Sequence, residues 1–481
     1  MPVSVEVDVS AGMPAFSIIG LAGTSVQEAR ERVRSAMTSS GFKFPVTRKV
    51  VNLAPAELAK HGSHFDLAMA LGFLVASEQL PLVPTSTWVL GELGLEGSLR
   101  RVSGVLPALL FAREQGAREV ILPVENVREA SLVKGLVLRG ARNLREVVGH
   151  FCGAELPAGS EAYEWEAGAA YLDFADISGQ GAAKRALLVA AAGGHHVLMS
   201  GPPGSGKTLL SEAFPSVLPP LSFEELLEVL RVHSVAGKPV EQLSLQRPFR
   251  RVHSRSTVYG LLGGGATLAP GEVSLAHQGV LFMDEFPEFA RESLEALREP
   301  LEARKFTLRQ GKRSSEFPCQ FQLIATMNPC PCGYYGDTEK PCTCTVAEVA
   351  RYQRKISGPL LDRLDLRVHV PRLPYEDFKL GDLESSASLR EKVLRARERQ
   401  RARLGAHGLS TNQELTPRLI KEERLDLKTE DLLKTAAKHH ALSGRAIHRI
   451  IKVARTIADL DEKDWIEAGH LMEALQYRLL P

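Results

Sequence analysis

Residues 197–210 read Val197-Leu198-Met199-Ser200-Gly201-Pro202-Pro203-Gly204-Ser205-Gly206-Lys207-Thr208-Leu209-Leu210. Val197, Leu198 and Met199 make a short apolar strand that runs into the pattern G-x-x-x-x-G-K-T, and Leu209 and Leu210 continue as helix formers. Glycines in such a turn let backbone N–H groups curl around phosphate oxygens with no Cβ in the way, and the helix N-terminus adds its positive end. The segment from Gly201 through Pro202, Pro203, Gly204, Ser205 and Gly206 to Lys207 and Thr208 therefore reads as a nucleotide-phosphate cradle. Lys207 is placed to reach the β- and γ-phosphates of ATP, and the Thr208 hydroxyl to ligate Mg²⁺. With average residue usage a chain of this length meets the pattern by chance only on the order of once in fifty. An ordinary Gly-rich turn is the weaker reading.

A phosphate loop requires a carboxylate strand, and the chain supplies one 77 residues after Lys207. Gly279-Val280-Leu281-Phe282-Met283-Asp284-Glu285 is a buried-strand run that ends in two acids. Asp284 is expected to hold the Mg²⁺ shell and Glu285 to polarise the attacking water as general base. A third run, Gln322-Leu323-Ile324-Ala325-Thr326-Met327, ends at Asn328, whose amide can orient the same water. Alone, an apolar strand ending in Asp-Glu is a strand entering a turn, and Asn328-Pro329 is a turn dipeptide. Their order behind the phosphate loop gives them roles.

The surrounding chain divides into blocks. Its 481 residues amount to about three domains. Val3, Val5, Val7 and Val9 alternate with polar residues as a strand with one wet face. Thr24 and Gln27 are spaced as a capping box ahead of the helical stripe Val26, Ala29, Val33 and Met37, which Gly41 can stop. Strand-like Val50, Val51 and Leu53, a helix over Asp66–Ala76 and a strand Val120–Leu122 complete an α/β domain over 1–152. Small and acidic residues over 153–172 read as a linker, 173–372 as the α/β block with the chemistry, and 373–481 as a helical region. No internal repeat or low-complexity tract stands out. Hydrophobic residues at 44% exclude wholesale disorder, and no run of eighteen apolar residues predicts a membrane span. Six cysteines in a chain this long do not make a disulfide framework, so the cytoplasm is the expected compartment.

Together the phosphate loop, LFMDEFPEF (281–289), ATMNPCPCGYYGD (325–337), SGPLLDRLDL (357–366) and LSGRAIHRIIKVARTIADL (442–460) closely resemble the magnesium-chelatase-like AAA+ ATPases, and within them the ComM/YifB family. The resemblance covers almost the whole chain. It implies an α/β fold: a P-loop AAA+ module with a parallel sheet and helices on both faces, a C-terminal helical lid, and a preceding α/β Lon-protease-like domain of the ribosomal S5 domain 2 type. It also implies a hexameric ring with ATP bound between neighbouring subunits. Arg363 then sits where the family places its arginine finger, Arg445 matches the sensor-2 arginine, and Gln180 in Asp176-Ile177-Ser178-Gly179-Gln180 belongs to the base-contacting segment. Fixed guanidinium groups suit these positions because they stabilise spread transition-state charge without needing a proton.

A Lon-like protease needs a Ser–Lys pair. Here the comparable stretch runs from Lys60 to Leu67, with Asp66 in the nucleophile's place and Ser63 as the alternative, so proteolysis is not expected. Relatives start with a strand before the position of Met1, so this domain is expected either to begin late or to lack its first strand. The implied task is DNA translocation of the helicase or branch-migration type, on single-stranded or branched DNA, in natural transformation and recombination. The competing readings are a chelatase-type motor and a protein remodeller, each acting on a protein partner.

Cys330-Pro331-Cys332 and Cys342-Thr343-Cys344 place four thiols within fifteen residues. Four clustered thiols suit a structural Zn²⁺, whereas C-x-C is tighter than usual ligand spacing and buried free thiols are common. Both readings stand at this level, and Cys152 and Cys319 stand apart. Two segments are basic with no acid: 247–255, with Arg247, Arg250, Arg251 and Arg255, and 304–313, with Arg304, Lys305, Arg309, Lys312 and Arg313. The second reads as a hairpin turning at Gln310-Gly311. Arg250, Arg251, Arg255, Arg309, Lys312 and Arg313 are the candidates for DNA phosphates on cationic pore loops. The bland alternative is a solvated surface, and no interleaved aromatics form a stacking platform. His195-His196 and His439-His440 lack a second ligand set and read as packing or surface residues. Lys+Arg 59 against Asp+Glu 57 leaves a net +2, which argues against coating DNA but not against threading it.

Overall fold

The computed structural model describes residues 2–57, 60, 62–159, 168, 171–238, 244–265, 268–311, 313–373, 384–423 and 425–479. They form two compact units, one of Met1–Glu166 with Leu230–Ser244, the other of Ala167–Val229 with Leu245–Pro481.

The first unit opens with β1 (Ser4–Ser10), β2 (Ala15–Ile19), α1 (Thr24–Ser39), β3 (Arg48–Ala54) and α2 (Asp66–Ala76). β3 lies between an antiparallel β1 and a parallel β2. Period-two alternation in β3 turns Lys49, Val51 and Leu53 inward. The expected stripe Val26, Ala29, Val33 and Met37 of α1 is buried against this sheet, together with α2, which is apolar nearly all round. A second sheet of β4 (Thr87–Val89), β5 (Glu119–Pro123) and β6 (Val137–Ala141) is parallel throughout.

Two local expectations need correction. The N-cap of α1 is Gly23, which already holds the extended backbone a cap requires, so Thr24 is the first helical residue and does not cap the helix. Residues 154–159, expected to begin a linker, instead run beside β6. Ala158 bridges Arg139, and the Gly159 N–H donates to Leu138 O at 2.8 Å.

The second unit contains α3 (Gly181–Gly193), β7 (Val197–Ser200), α4 (Lys207–Ala213), β8 (Phe249–Val252), β9 (Val280–Met283), α5 (Arg298–Ala303), the hairpin strands β10 (Lys305–Gln310) and β11 (Arg313–Pro318), β12 (Gln322–Met327) and β13 (Leu366–His369). Four long helices follow: α6 (Ser386–Leu404), α7 (Leu427–His439), α8 (Gly444–Leu460) and α9 (Ala468–Leu479). The main sheet runs β8-β9-β12-β7-β13, and every neighbouring pair is parallel. A parallel sheet needs both faces covered, and alternate residues of the same strands fill two cores. Val197, Met199, Val280, Phe282 and Ile324 face α3 and the helical region, where Ile450, Val453, Ala454 and Ile457 of α8 join them. Leu198, Leu281, Met283, Leu323 and Ala325 face the opposite core with Phe286, Leu294 and Leu297.

A buried ion cluster organises the helical region. Asp459 of α8 accepts from Arg455 at 3.0 Å, from Arg403 at 2.9 Å with both oxygens, and from Asn412 at 2.8 Å. Both Asp459 and Arg455 are excluded from water. Removing one partner strands a buried charge. Asp459→Ala is expected to destabilise the second unit by about 3–5 kcal/mol, measured as a lower urea midpoint, whereas substituting the exposed Lys434–Glu430 pair should change it by less than about 1 kcal/mol.

Candidate functional site

The phosphate loop leaves the carboxyl end of β7, where parallel α/β sheets place their ligands. Gly206 stands at the N-cap of α4 with φ 91°, a left-handed conformation that a side chain would oppose. It turns the chain so that Lys207 enters the helix with its ammonium folded back into the loop. Nζ donates to Gly201 O and Pro202 O, both at 2.8 Å. Burial pushes the Lys207 ammonium down to about 8 despite the nearby Asp284 carboxylate. The ammonium is thus satisfied by the loop's own carbonyls. Gln180 is also left-handed, and its Nε2 donates to Ser205 O at 3.0 Å and to Pro371 O at 2.7 Å. Its amide thus ties the phosphate loop to the chain leaving β13.

β12 lies between β7 and β9, with Met327 opposite Ser200 and Ala325 opposite Met283. This register brings Asn328 and the two carboxylates to the phosphate loop's end of the sheet. Thr208 Oγ1 lies 3.4 Å from Asp284 Oδ2, and Asp284 Oδ1 accepts from Thr326. A hydroxyl and a half-buried carboxylate at that separation fit a hard divalent cation such as Mg²⁺. Glu285 has φ 53°, which costs a non-glycine residue roughly 1–2 kcal/mol. Its N–H points to Asp284 Oδ1 at 3.1 Å and Thr326 Oγ1 at 3.3 Å, while its carboxylate is exposed. Thr326 escaped the sequence reading because only strand register puts it beside Asp284.

The basic segments differ in space from their appearance in sequence. Arg250 and Arg251 are on β8, not on a loop, and both have acidic partners from elsewhere in the chain. Arg250 pairs with both oxygens of Glu272 at 2.6 and 2.8 Å. Arg251 reaches Glu212 at 2.8 Å and Asp284 at 3.3 Å, which places it at the carboxylate end of the site. Arg247 is buried on Glu225, Pro219 O and Gln278 O. Arg255 remains exposed. The expected hairpin is formed, with Gln310 opposite Arg313 and Arg309 exposed, but Arg304 before it pairs with Glu414 at 2.8 Å. Lys312 and the side chain of Arg313 lie outside the described residues.

Arg363 pairs with Glu302 at the end of α5 and donates to Pro359 O at 2.8 Å. Arg445 is exposed in the first turn of α8, behind the N-cap Ser443. Among the described contacts, neither touches the phosphate loop or the carboxylates of its own chain.

The four clustered cysteines converge. Cys330 Sγ is 3.3 Å from Cys332 Sγ and 3.6 Å from Cys342 Sγ, and all four sulfurs lie within 4.8 Å of one another. A tetrahedral site with Zn–S of about 2.3 Å sets its sulfurs about 3.8 Å apart, so the donor set fits zinc. Backbone N–H groups of Cys332 and Tyr335 point at the sulfurs of Cys344 and Cys330. Gly333, with φ 87°, packs so closely on the phosphate loop that a Cβ there would fall 2.7 Å from Pro203 Cδ. Cys319 is buried apart, its thiol pushed well up by burial, and Cys152 is exposed.

In the first unit, Asp66 is held by Arg32 through two bonds of 2.6 and 3.0 Å. Ser63 donates to Glu92, and the buried Lys60 donates to Pro55 O. The described Lys60 and Ser63 contacts therefore do not form a Ser–Lys pair. His195 and His196 are buried packing residues, as expected. His195 Nε2 meets Thr456 at 2.8 Å, and His196, pushed down to about 4 by burial, accepts from the Leu323 N–H.

Comparisons with known proteins give the family. Family models described as magnesium chelatase subunit ChlI match residues 173–378 and, for its C-terminal part, 383–478, and a third, subunit ChlI of Mg-chelatase, matches 5–126. The chain is 43% identical to competence protein ComM of Haemophilus influenzae, over 99% of this chain and 94% of the relative. It is 40% identical to YifB of Escherichia coli, over 100% and 94%. The chain belongs to the ComM/YifB family of magnesium-chelatase-like AAA+ proteins. A shorter similarity, 28% identity over 24% of the chain, links it to Lon protease 2 of Bacillus subtilis. Among the described residues of this ComM/YifB chain, no helix is long and apolar enough to cross a membrane.

The buried Lys207 gives this family member a measurable proton linkage. A polyphosphate ligand stabilises the ammonium form and raises its pKa above the value of about 8. Binding of ATP above about pH 8 should therefore take up a proton and weaken as pH rises, with no uptake near pH 6 from this group. Titration calorimetry in buffers of different ionisation enthalpy measures this, and Lys207→Ala should abolish it.

Proposed function

We propose that the protein is an ATP-driven ring motor, a hexamer in the cytoplasm, acting on single-stranded or branched DNA in branch migration. The observation that carries the ATPase half is the convergence of Lys207, Thr208, Asp284, Glu285 and Asn328 at one end of the parallel sheet. Lys207 exchanges its loop carbonyls for phosphate oxygens. Thr208 and Asp284, the latter fixed by Thr326, would hold Mg²⁺, which would supply charge neutralisation at the phosphates. Glu285 accepts the proton of the attacking water, and Asn328 orients it. Among the described residues, Arg363 and Arg445 make no contact with the site of their own chain, which supports a ring in which Arg363 serves a neighbour.

The DNA half rests on the exposed Arg255 and Arg309, on Lys312 and Arg313 close behind Arg309 in sequence, and on likeness to a protein named for competence. That likeness supports a role in integrating incoming strands during natural transformation and recombination. The family models named for a chelatase subunit favour a second reading, a motor that drives a protein partner.

ATP turnover with and without forked or three-stranded DNA separates the two. The DNA motor predicts several-fold stimulation and strand displacement, both lost by about 100-fold or more in Lys207→Ala. Turnover indifferent to DNA but raised by a protein partner would establish the second reading.

Zinc at the cysteine cluster belongs to the same proposal. The purified protein should carry one equivalent per chain by elemental analysis, and Cys342→Ser should lose it. Because Gly333 rests on Pro203, the same variant should also weaken ATP binding.

A further inference from the structure

The backbone around Arg363 is gripped from both sides by arginines of the helical lid. Arg449, on α8, donates to the Arg363 carbonyl at 2.9 Å and to the Asp365 carboxylate. Arg478, on α9, donates to Leu364 O at 2.8 Å and to Asp362 Oδ1 at 2.6 Å. Two consecutive carbonyls and the carboxylates on either side of residue 363 thus all end on lid guanidinium groups. Asp365 is fully buried and also accepts the His196 N–H at 3.2 Å, with His195 Nδ1 3.4 Å away. His195 and His196 lead directly into β7, the strand that carries the phosphate loop.

Such contacts hold one geometry. A buried carboxylate that loses its guanidinium is left uncompensated, and the planar fork of Arg fixes both partners' directions. By contrast, among the described residues the Arg363 side chain has one carboxylate partner, the exposed Glu302, and otherwise donates to Pro359 O. The backbone that carries it is held by the lid. α8 also carries Arg445 one turn before Arg449, on the same face. One helix therefore bears both the arginine matched to the sensor-2 position and the arginine that holds residue 363.

We infer that Arg449 and Arg478 are positioning residues for Arg363, through which the lid of one subunit sets where its finger meets the neighbour's nucleotide. This rests on the reading of Arg363 as a finger acting in trans. A lid that shifts with its own nucleotide would carry the backbone of residue 363 with it, so the state of one site would be conveyed to the next by these hydrogen bonds.

Subunit mixing in the full-length ring tests it. Arg449 makes both bonds from the one nitrogen Nη1, and Arg449→Lys keeps the charge beside Asp365 on a shorter stem, without the guanidinium plane that aims that nitrogen at the Arg363 carbonyl. It should lower kcat about tenfold or more while KM for ATP changes less than about twofold. Mixed with Glu285→Gln subunits, whose own sites are inactive but whose fingers are sound, the Arg449→Lys sites should regain turnover. A lid defect confined to its own subunit would not be rescued this way. Arg363→Ala mixed with Glu285→Gln is the reference. If that mixture regains turnover and the Arg449→Lys mixture does not, or if Arg449→Lys alone leaves kcat unchanged, the positioning role is overturned. If the Arg363→Ala mixture itself regains nothing, the reading of Arg363 in trans fails first. Should Arg449→Lys not assemble, Arg478→Lys enters the same scheme with the same expected and overturning results.

Discussion

Strand β12 hydrogen-bonds to β7 on one side and β9 on the other, and this parallel pairing makes a single site out of three separate segments. Parallel strands end at the same edge, so the phosphate loop, Asp284–Glu285 and Asn328 must emerge together. The pairing is stabilised by both sheet faces at once. Leu323 and Ala325 enter one core and Ile324 the other, so a slip of one residue would exchange two sets of packed side chains. The site's register is consequently fixed by hydrophobic burial well away from any phosphate.

This explains why the sequence made some of the site legible and not the remainder. A fully buried strand is a continuous apolar run, and the residue after it is at the edge where chemistry occurs. Lys207 could therefore be placed from its local pattern, and Asp284 and Asn328 from their strands' order behind it. Thr326 could not, because its role depends on which residue of β9 it faces. The same limit affected the arginines. A window of sequence around 247–255 contains no acid, yet Glu272, Glu212, Asp284 and Glu225 all come to it from other segments. Charge patterning along a chain is one-dimensional, whereas neutralisation is not. The hairpin 305–318 was readable because its partners are local, and Arg309 stays exposed. The helix cap at residue 23 was misread by one position because a glycine cap leaves no side-chain signature.

Buried ionic groups concentrate where the helical region meets the sheet. Asp365, Arg449 and Arg478, with the His195-His196 pair packed beside them, are nearly invisible as a group in sequence, since they come from four separate stretches. Their contribution to net stability is small or negative compared with an apolar replacement. Their use lies in specificity: a guanidinium fork satisfied by one carbonyl and one carboxylate admits few alternative positions. An apolar contact would tolerate sliding. A segment that must present one arginine at a fixed place therefore gains more from ions than from leucines.

The cysteine loop applies a related constraint to the opposite side of the phosphate loop. Gly333 sits where a Cβ would overlap Pro203, so the loop's backbone itself, not a side chain, forms the wall. Backbone walls are useful only if they do not move, and a segment from Pro329 to Thr345 has little secondary structure to hold it. Four convergent sulfurs holding a metal would supply what a helix or strand otherwise provides. A metal bound there would cross-link both ends of the segment directly behind Asn328, making the amide and the phosphate loop's outer wall parts of one rigid piece.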